Sequence, residues 1–472
     1  MLLSFAPIVL LVLLLFSAVQ LFGADASYGP NQVALLIASA AAGLVGMYRG
    51  LTWADVQESM VAGIKVGLGP ILILLAVGGL IGSWMIAGTV PAMIYYGVSI
   101  LNPSIFFAAA AIICALASIS IGSSWTVAGT LGIGLIGIAD SYGLSPAIAA
   151  GAIISGAYFG DKLSPLSDTT NLAAACTSVD LFAHIRHMLW TTVPAFCVAL
   201  LFFSLIPSGA ATAPEQIAEL RAAISQEFNV GVGVLMPLAV MIGLIWKRVP
   251  AYPAIMLATL TGILTALTFQ TDVVRKFALM ANPEATMPVV EGLWRTLFAG
   301  FEGTTINEEL NRLISKGGIA SMLNTVWLIV SALAFGGVLE RTGILKQILD
   351  SVLKLVKSTG DLVAATVTGG FITNILAADQ FLAIALPGRL FSSTYDDRGL
   401  SRENLSRTLE DSATMTSALI PWNTCGAYMA ATLGVATFDY APYAIFNLAC
   451  PLIAVAFGYL AFKQKPAAAQ PA

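Results

Sequence analysis

The sequence predicts an all-α polytopic membrane protein with two inverted-topology repeats, broken helices and re-entrant hairpins. Of its 472 residues, 58% are hydrophobic and only 10% are charged, whereas soluble domains carry about 25% charged residues. Several apolar runs are long enough for a helix to cross roughly 30 Å of hydrocarbon. Counting complete and broken spans together, we expect about 11–13 membrane segments.

The apolar runs fall into two groups along the chain. Residues 1–29 are expected to form an extra transmembrane helix and a loop, because their apolar run is long for a signal peptide and lacks a basic start. A first transport repeat is predicted over 30–206 and a second over 230–462, with a polar linker at 207–229 between them. Residues 463–472 have the composition of a disordered tail.

Within the repeats, each element follows from an apolar or amphipathic run. The expected complete spans are 31–47, 67–87, 189–206, 230–246, 251–269, 319–339 and 443–462. The expected broken or short segments are 91–101, 105–139, 147–160, 172–187, 362–376, 377–390 and 405–433. The expected amphipathic or extramembrane connections are 49–65, 271–317 and 345–357.

Ordered landmarks coincide when the chain is shifted by 256 residues, and no gap is needed between 119 and 182. The coincident residues are Ser123 and Asp379, Gly143 and Gly399, Pro165 and Pro421, and Val179 and Val435. Because the helix breaks of the two halves fall at matching positions, the sequence indicates an internal repeat.

Basic residues indicate that the two repeats are inverted. Cytoplasmic loops hold the excess of Lys and Arg. Four Arg residues lie in 389–407, whereas the equivalent segment of the first half, 140–145, has none. Conversely, 49–65 is placed inside, and the corresponding long segment, 271–317, is placed outside. An inverted repeat with interrupted helices is the sequence pattern of a secondary transporter.

The segment 156–171, GAYFGDKLSPLSDTTN, places charges and a helix break inside an apolar stretch. Charges at bilayer depth cost about 2.5–3.5 kcal/mol on insertion scales, so they normally face a cavity or a partner. Pro165 has no N–H and disfavours helical backbone at Ser164, so we expect an unwound segment there. Hard cations prefer carboxylate, hydroxyl and carbonyl oxygens. The candidate ion- or proton-binding residues in this segment are Asp161, Ser164, Ser167, Asp168, Thr169, Thr170 and Asn171.

The second half supplies further oxygen ligands at breaks that should converge with the first near the bilayer midplane. Asp379 is the most isolated of them, since it lies in an otherwise apolar hairpin. The candidates from the second half are Asn374, Asp379, Asp411, Asn423 and Thr424. Secondary candidates from both halves are Ser123, Ser124, Glu340 and Thr373.

Most of these candidates also have a simpler structural interpretation. Asp168 could start a helix as its cap, Asp161 could pair with the adjacent Lys162 or with another cation, and Asp411 could face water at the boundary of a span. Glu340 could be a charge at the membrane interface. The Asn and Thr candidates could join packed helices by hydrogen bonds.

Other residue types limit the functions that the sequence supports. His184 and His187 share a helix face and are candidate pH sensors, although a polar face at the cytoplasmic surface explains them as well. The five cysteines lie in apolar surroundings without CxxC spacing, which argues against disulfides and zinc. A net charge of −4 without a basic stripe argues against nucleic acid. No enzyme motif, cofactor site or resident metal site is predicted.

The segment 156–171, followed by VDLFAHIRH at 179–187, resembles the signature of NhaC-type sodium/proton antiporters. FGGVLERTG at 335–343 and LEDSATMTSALIPWNTCG at 409–426 resemble the same family, and the resemblance spans roughly 34–460. Members include sodium/proton antiporters and exchangers of malate for lactate. The resemblance implies Na⁺ and H⁺ as transported ions and a multi-pass protein in the lipid bilayer of a bacterial-type inner membrane. A homodimer is expected by analogy with related transporter folds.

The residues and the resemblance together predict a secondary active transporter. The hypothesis is a sodium (or lithium)/proton antiporter that exchanges cytoplasmic Na⁺ for external H⁺ through intramembrane carboxylates. One carboxylate, or a coupled pair, would bind either protons or sodium, because a carboxylate removed from water holds a proton more readily. The alternative is a proton- or sodium-coupled antiporter of an organic acid, such as malate or lactate, or of an amino acid.

Overall fold

The computed structural model describes residues 2–22, 26, 28–206, 214–247, 249–303, 305, 308–464 and 466. These residues form helices joined by short connections. Within them, strand-like pairing is limited to two isolated bridges, 301 with 316 and 400 with 466. The predicted all-α class is therefore confirmed.

The helices up to residue 246 are α1 (Leu2–Phe22), α2 (Pro30–Tyr48), α3 (Trp53–Val66), α4 (Leu68–Ile86), α5 (Thr89–Ile100), α6 (Phe106–Ile121), α7 (Ser124–Val127), α8 (Ile133–Ser141), α9 (Pro146–Leu163), α10 (Asp168–Thr177), α11 (Leu181–Leu205), α12 (Pro214–Glu227) and α13 (Met236–Trp246). The later helices are α14 (Ala251–Phe269), α15 (Thr271–Ala281), α16 (Pro288–Phe298), α17 (Glu308–Ile314), α18 (Leu323–Arg341), α19 (Ile344–Leu353), α20 (Thr359–Ala377), α21 (Gln380–Asp397), α22 (Arg402–Leu409), α23 (Met415–Ser417), α24 (Thr424–Leu433), α25 (Thr437–Tyr440) and α26 (Ile445–Tyr459). Short 3₁₀ helices lie at Pro103–Ile105, Val232–Leu235, Ile319–Met322 and Ala441–Tyr443, and π-helical turns lie at Ala128–Gly132 and Glu410–Thr414.

Eight helices of the described chain are long and apolar enough to cross a membrane, and ten spans result if each of two sharply bent pairs counts as one. This count omits the broken helices α9–α10 and α22–α24, which the expectation of about 11–13 segments included. α12 occupies most of the predicted polar linker, while 207–213 lie outside the described residues. Most of the predicted disordered tail lies outside them too. The repeat boundaries stay predictions.

The first hairpin comprises residues 106–141. α6 ends at Gly122, whose φ is 73°, and Ser123 then caps α7 by accepting a hydrogen bond from the Thr126 N–H. The chain returns through α7, a π turn and α8. As a result, the Tyr142 hydroxyl donates a hydrogen bond to the Leu101 carbonyl, just before α6. The tip of this hairpin is therefore Gly122–Ser123.

The second hairpin comprises residues 359–397. The hydroxyls of Thr366 and Tyr395 lie 3.0 Å apart, which joins the open ends of α20 and α21. α20 ends at Ala378, whose φ is 58°, and Asp379 caps α21 by accepting a hydrogen bond from the Leu382 N–H at 2.8 Å. Its tip is Ala378–Asp379, and both tip residues lie 256 positions after those of the first hairpin.

The 256-residue repeat is present in the backbone well beyond the tips. Equivalent residues cap equivalent helices, and equivalent residues adopt left-handed backbone. The matching caps are Ser145 and Ser401, Ser167 and Asn423, and Asp180 and Ala436, and the matching left-handed residues are Gly143 and Gly399, and Ser178 and Gly434. Both halves therefore fold into the same sequence of a hairpin, a broken helix and a further helix.

Each hairpin tip meets the helix break of its own half. A Cβ atom on Gly122 would lie 3.0 Å from the Ser164 hydroxyl oxygen, between α9 and α10. In the second half, the Thr424 N–H donates a hydrogen bond to the Ala378 carbonyl at 2.9 Å. The two assemblies are joined by the Trp125 and Tyr428 rings, which stack with centroids 4.0 Å apart. Interrupted backbone from both halves thus meets in the protein interior, where it is sheltered from lipid.

Candidate functional site

A cavity of about 540 Å³, called here the large cavity, lies beside the first tip and the break between α9 and α10. The starts of α4 and α14 and the beginning of α21 complete its wall. Its polar lining residues are Ser123, Ser124, Thr126, Asp161, Ser167, Asp168, Thr169 and Gln380. Among the described residues that line it, none is Lys, Arg or His. The large cavity is therefore acidic and rich in oxygen atoms.

Asp161 connects the end of α9 to the first tip. One of its carboxylate oxygens accepts hydrogen bonds from the Ser124 N–H at 3.1 Å and from the Ser124 hydroxyl at 2.6 Å. Its side chain is only 7% exposed and it lines the large cavity. The predicted candidates Asp161, Ser123 and Ser124 are thus brought together, although they lie almost 40 residues apart in sequence.

The break between α9 and α10 is held by local hydrogen bonds. Ser164 is buried, and its hydroxyl accepts a hydrogen bond from the Leu166 N–H at 3.3 Å. The Asn171 amide donates to the carbonyls of Pro165 and Ser167 at 2.9 and 2.7 Å. The Thr170 hydroxyl donates to the Lys162 carbonyl at 3.2 Å. Asn171 and Thr170 therefore stabilise the unwound backbone and occupy carbonyl oxygens that could otherwise bind an ion.

Asp168 is the first residue of α10 and its side chain is exposed in the large cavity. The cap of this helix is Ser167, whose hydroxyl accepts from the Thr170 N–H and lies 3.1 Å from the Thr169 hydroxyl. The alternative in which Asp168 itself is the cap is therefore wrong. Ser167, Asp168 and Thr169 present a carboxylate and two hydroxyls at one wall of the cavity.

Lys162 and Asp411 form a buried ion pair between the two halves. Both side chains are completely buried, and the Thr191 hydroxyl donates to the same Asp411 oxygen at 2.9 Å. Two sequence-based alternatives are consequently wrong: Lys162 pairs with Asp411 rather than with Asp161, and Asp411 does not face water at the boundary of a span. Neither partner lines the large cavity, although Lys162 directly follows Asp161, which does.

Glu410 is a completely buried acid that the sequence reasoning did not select. Lys162, Asp161, Thr169 and Thr414 surround it, but neither of its oxygens forms a hydrogen bond within the described part of the chain. Its position beside Asp411, at the predicted start of a span, suggested exposure to water. The internal repeat indicates that Glu410 lies within a membrane segment, because the equivalent residue of the first half is the apolar Ile154.

Asp379 lies at the second tip, as predicted for an isolated acid in an apolar hairpin. One oxygen accepts from the Leu382 N–H, while the other has no hydrogen-bond partner among the described residues. Its side chain is 1% exposed, and it is not part of the wall of the large cavity. Its neighbours Gln380 and Phe381 do line that cavity, so the second tip borders the site through them.

The neutral candidates of the second half hold helices together. The Asn423 amide donates to the Asn374 side-chain oxygen at 3.0 Å. The Asn374 amide donates to the Ala413 carbonyl and to the Thr416 hydroxyl. The Thr373 hydroxyl donates to the Gly369 carbonyl in its own helix. Thr424 contributes the N–H that contacts the second tip. These contacts fit the interpretation of Asn374 and Asn423 as residues that join packed helices, whereas the Thr373 hydroxyl bonds only within its own helix.

The remaining candidates lie away from the large cavity. Glu340 is exposed at the end of α18. His184 and His187 do share one face of α11, but this face packs on α22, where their ring nitrogens lie 2.8 Å from the Ser406 hydroxyl and 3.1 Å from the Asn404 side-chain oxygen. Their role in pH sensing stays a prediction.

Comparison with known proteins places this arrangement among transporters. A model of the Na⁺/H⁺ antiporter family matches residues 156–462. The chain is 40% identical to the Na(+)/H(+) antiporter NhaC of Alkalihalophilus pseudofirmus over 91% of this chain and 89% of that protein. It is 36% identical to the malate-2H(+)/Na(+)-lactate antiporter of Bacillus subtilis over 91% of this chain and 89% of that protein. It is also 36% identical to the Na(+)/H(+) antiporter NhaC of Bacillus subtilis over 91% of this chain and 92% of that protein.

The matched region contains the break beside the large cavity, the buried ion pair, and the hairpin and the broken helix of the second half. The apolar helices and these relatives identify a multi-pass integral protein of the bacterial plasma membrane. The predicted resemblance is confirmed: the chain belongs to the Na⁺/H⁺ antiporter family.

Proposed function

We propose that this protein exchanges cytoplasmic Na⁺ for external H⁺, and that Asp161 and Asp168 bind the exchanged ions in the large cavity. The observation that carries the proposal is the lining of that cavity. Two carboxylates and several hydroxyls line it, and no described cationic side chain does. A hard monovalent cation takes oxygen ligands of this kind.

The alternative cargo, an organic acid, has less support. An organic anion would need compensating positive charge inside a cavity that already holds two carboxylates. Arg389 in α21 is exposed and does not line the cavity. The N-terminus of α10 could in principle attract an anion, but Asp168 stands at its first turn. The malate/lactate relative leaves this alternative to be tested.

The direction of exchange follows from the distribution of basic residues. Arg398 contacts the Lys357 carbonyl within the basic end of the second half, and Arg341 contacts Asp55 in the segment 49–65, which is placed inside. The large cavity is lined by Val249 and Pro250, which closely follow the basic Lys247. Since cytoplasmic ends carry the basic excess, this cavity faces the cytoplasm in our proposal.

Exchange results from competition for the same oxygens. A carboxylate bound to a proton cannot hold Na⁺, and a bound Na⁺ displaces the proton. The protein changes its accessible side with either ion bound, so transport of one ion is tied to the return of the other. The residues that surround the cavity need only bind, orient and exclude water, and we propose no catalytic role for them. Transport of Li⁺ and assembly as a homodimer remain predictions.

Proton flux in proteoliposomes loaded with a pH-sensitive dye tests the cargo. The external solution is changed to Na⁺, Li⁺, K⁺, malate, lactate or arginine while the membrane potential is clamped. Na⁺ is expected to drive proton movement in the opposite direction, while malate and lactate without Na⁺ produce none. Proton movement driven by malate or lactate in the absence of Na⁺ would instead support the organic-acid antiporter.

A further inference from the structure

A second, smaller cavity of about 180 Å³, the small cavity, lies on the other side of the joined hairpin assemblies. Ile81 of α4, Ile133 of α8, Thr432 of α24 and Lys316 are among the residues that line it. Lys316 belongs to the segment 271–317, which lies outside in the proposed orientation. The large and small cavities are therefore at opposite sides of the membrane.

Successive turns of two helical elements lead from one cavity to the other. In α4, Ile73 lines the large cavity and Ile81 lines the small one. In the returning half of the first hairpin, Trp125 lines the large cavity and Ile133 the small one. Val77 and Gly129 lie midway, four residues from either, which corresponds to about 6 Å of helix on each side. The barrier between the cavities is thus only about two turns deep.

This midway layer is closed by a few tightly packed groups. The fully buried Tyr428 stacks on Trp125 at an angle of 15°, and its hydroxyl donates to the Trp125 carbonyl at 2.9 Å. A Cβ atom on Gly129 would lie 2.8 Å from the Tyr428 hydroxyl oxygen and 3.4 Å from a Val77 methyl carbon. The layer has no room for an additional methyl group, so an ion cannot pass through it in this conformation.

The small cavity offers oxygen atoms directly beyond this layer. Thr432 follows Tyr428 by one turn of α24, and its buried hydroxyl has no hydrogen-bond partner within the described part of the chain. Residues Ala431 to Gly434 bring the C-terminal end of α24, which carries partial negative charge, to the same cavity. Lys316 also lines the small cavity, and its positive charge weakens the binding of a cation there.

We propose that Val77, Trp125, Gly129 and Tyr428 form a seal between the two cavities, and that the small cavity is the vestibule through which the exchanged cation leaves to the outside. The proposal rests on the proposed function for its cargo and direction. The seal itself rests on packing and helix register alone. Opening it requires α4 to separate from the first hairpin and α24 at this layer.

A disulfide across the seal tests the proposal. The double variant is Val77→Cys/Gly129→Cys, since a Cβ atom on Gly129 would lie 3.4 Å from a Val77 methyl carbon, close to where a cysteine sulfur at position 77 would lie. Oxidation is expected to abolish Na⁺/H⁺ exchange in vesicles and reduction to restore it, while calorimetry still detects Na⁺ binding at the large cavity. Each single variant, treated with the same oxidant, is expected to show no oxidation-dependent change. A verified disulfide that leaves the exchange rate unchanged overturns the seal.

A thiol on Gly129 approaches the Tyr428 hydroxyl, so the same pair is also made with Tyr428→Phe, which removes that oxygen but keeps the ring. A second measurement does not depend on the cargo. Ala251→Cys, beside the large cavity, is expected to react with a membrane-impermeant maleimide from the cytoplasmic face, and Ser321→Cys, beside the small cavity, from the opposite face. Labelling of both from one face overturns the two-sided arrangement. If opposite-face labelling holds but no cation drives exchange, the proposed function fails while the seal stands.

Discussion

Lys162 and Asp411 place opposite charges in complete burial, one from each half of the chain. Removing a charge from water costs several kcal/mol, which mutual attraction and the Thr191 hydrogen bond offset only while both partners are present. The pair therefore fixes how the break after α9 sits against the π turn at 410–414. Asp161 and Glu410, which adjoin the two partners in sequence, are positioned by the same contact.

Lys162→Met is expected to destabilise the protein by about 3–5 kcal/mol, because it leaves the buried Asp411 without its cation. The double variant Lys162→Met/Asp411→Leu should recover much of this loss, since no charge remains buried. Arg341→Met is the matched control, because its ion pair with Asp55 lies at the surface, where such pairs contribute little to stability. Thermal unfolding in detergent measures all three. Equal melting temperatures for the single and double variants at the buried pair would contradict this account.

For individual residues, the sequence was sufficient to find acids that are isolated in apolar surroundings. It was not sufficient to find contacts between residues that lie far apart in the chain. Asp161, Asp168 and Asp379 were selected because each is costly at bilayer depth without a partner. The partner of Lys162 could not be predicted, since it lies 249 residues away. Glu410 was missed because two adjacent acids at the start of a span look like a surface feature.

The two hairpin tips are equivalent elements with different residues at the left-handed position. Gly122 has φ 73° and Ala378 has φ 58°. Glycine adopts this conformation freely, whereas an L residue pays roughly 1–2 kcal/mol there. Ala378 is nevertheless held in place, because its carbonyl accepts the Thr424 N–H from the helix break. Both tips are thus set by the break against which they lie.

Ala378→Gly is expected to relieve backbone strain of about 1 kcal/mol, offset in part by the greater freedom of glycine in the unfolded chain. Gly122→Ala should destabilise by more than that, because the new methyl group meets Leu166 at 2.7 Å in addition to the strain. Gly399→Ala separates the two effects, since its φ is 65° and nothing lies within 4 Å. Melting temperatures should rank Gly399→Ala above Gly122→Ala. The reverse order would show that close contact at the first tip has no energetic weight.

Among the structural elements, the sequence predicted the positions of the helix breaks better than the structure of the segments that connect the helices. Gly122, Pro165 and Pro421 identify interrupted helices because each changes what the backbone can do locally. The helical α12 in the predicted linker was not foreseen, since its polar composition resembles that of a loop. The π turns at 128–132 and 410–414 were not predicted, and both contact the other half of the chain: Gly129 adjoins Tyr428, and Asp411 pairs with Lys162.

The two halves of the molecule share a backbone fold but carry different side chains at the equivalent functional positions. At the 256-residue offset, Asp161 corresponds to Ser417, Lys162 to Ala418 and Asp168 to Thr424. The first half therefore supplies the two acids of the large cavity, and the second half supplies Asp411, Glu410 and the tip that borders the cavity. A single exchange site built from two similar halves fits a transporter in which the halves move against each other. The repeat was predictable from landmarks, whereas the cavities depend on packing between distant segments.

Proton release on Na⁺ binding to the purified protein tests the central claim most directly. Calorimetry in buffers of different ionisation enthalpy gives both the Na⁺ affinity and the number of protons released. Since protons and Na⁺ compete for the same carboxylates, Na⁺ binding should release protons, and its affinity should fall as the pH falls. Asp161→Asn should lose both effects, while Glu58→Gln, an exposed acid on α3, should keep them. Na⁺ binding that releases no protons and keeps one affinity across pH would contradict the account.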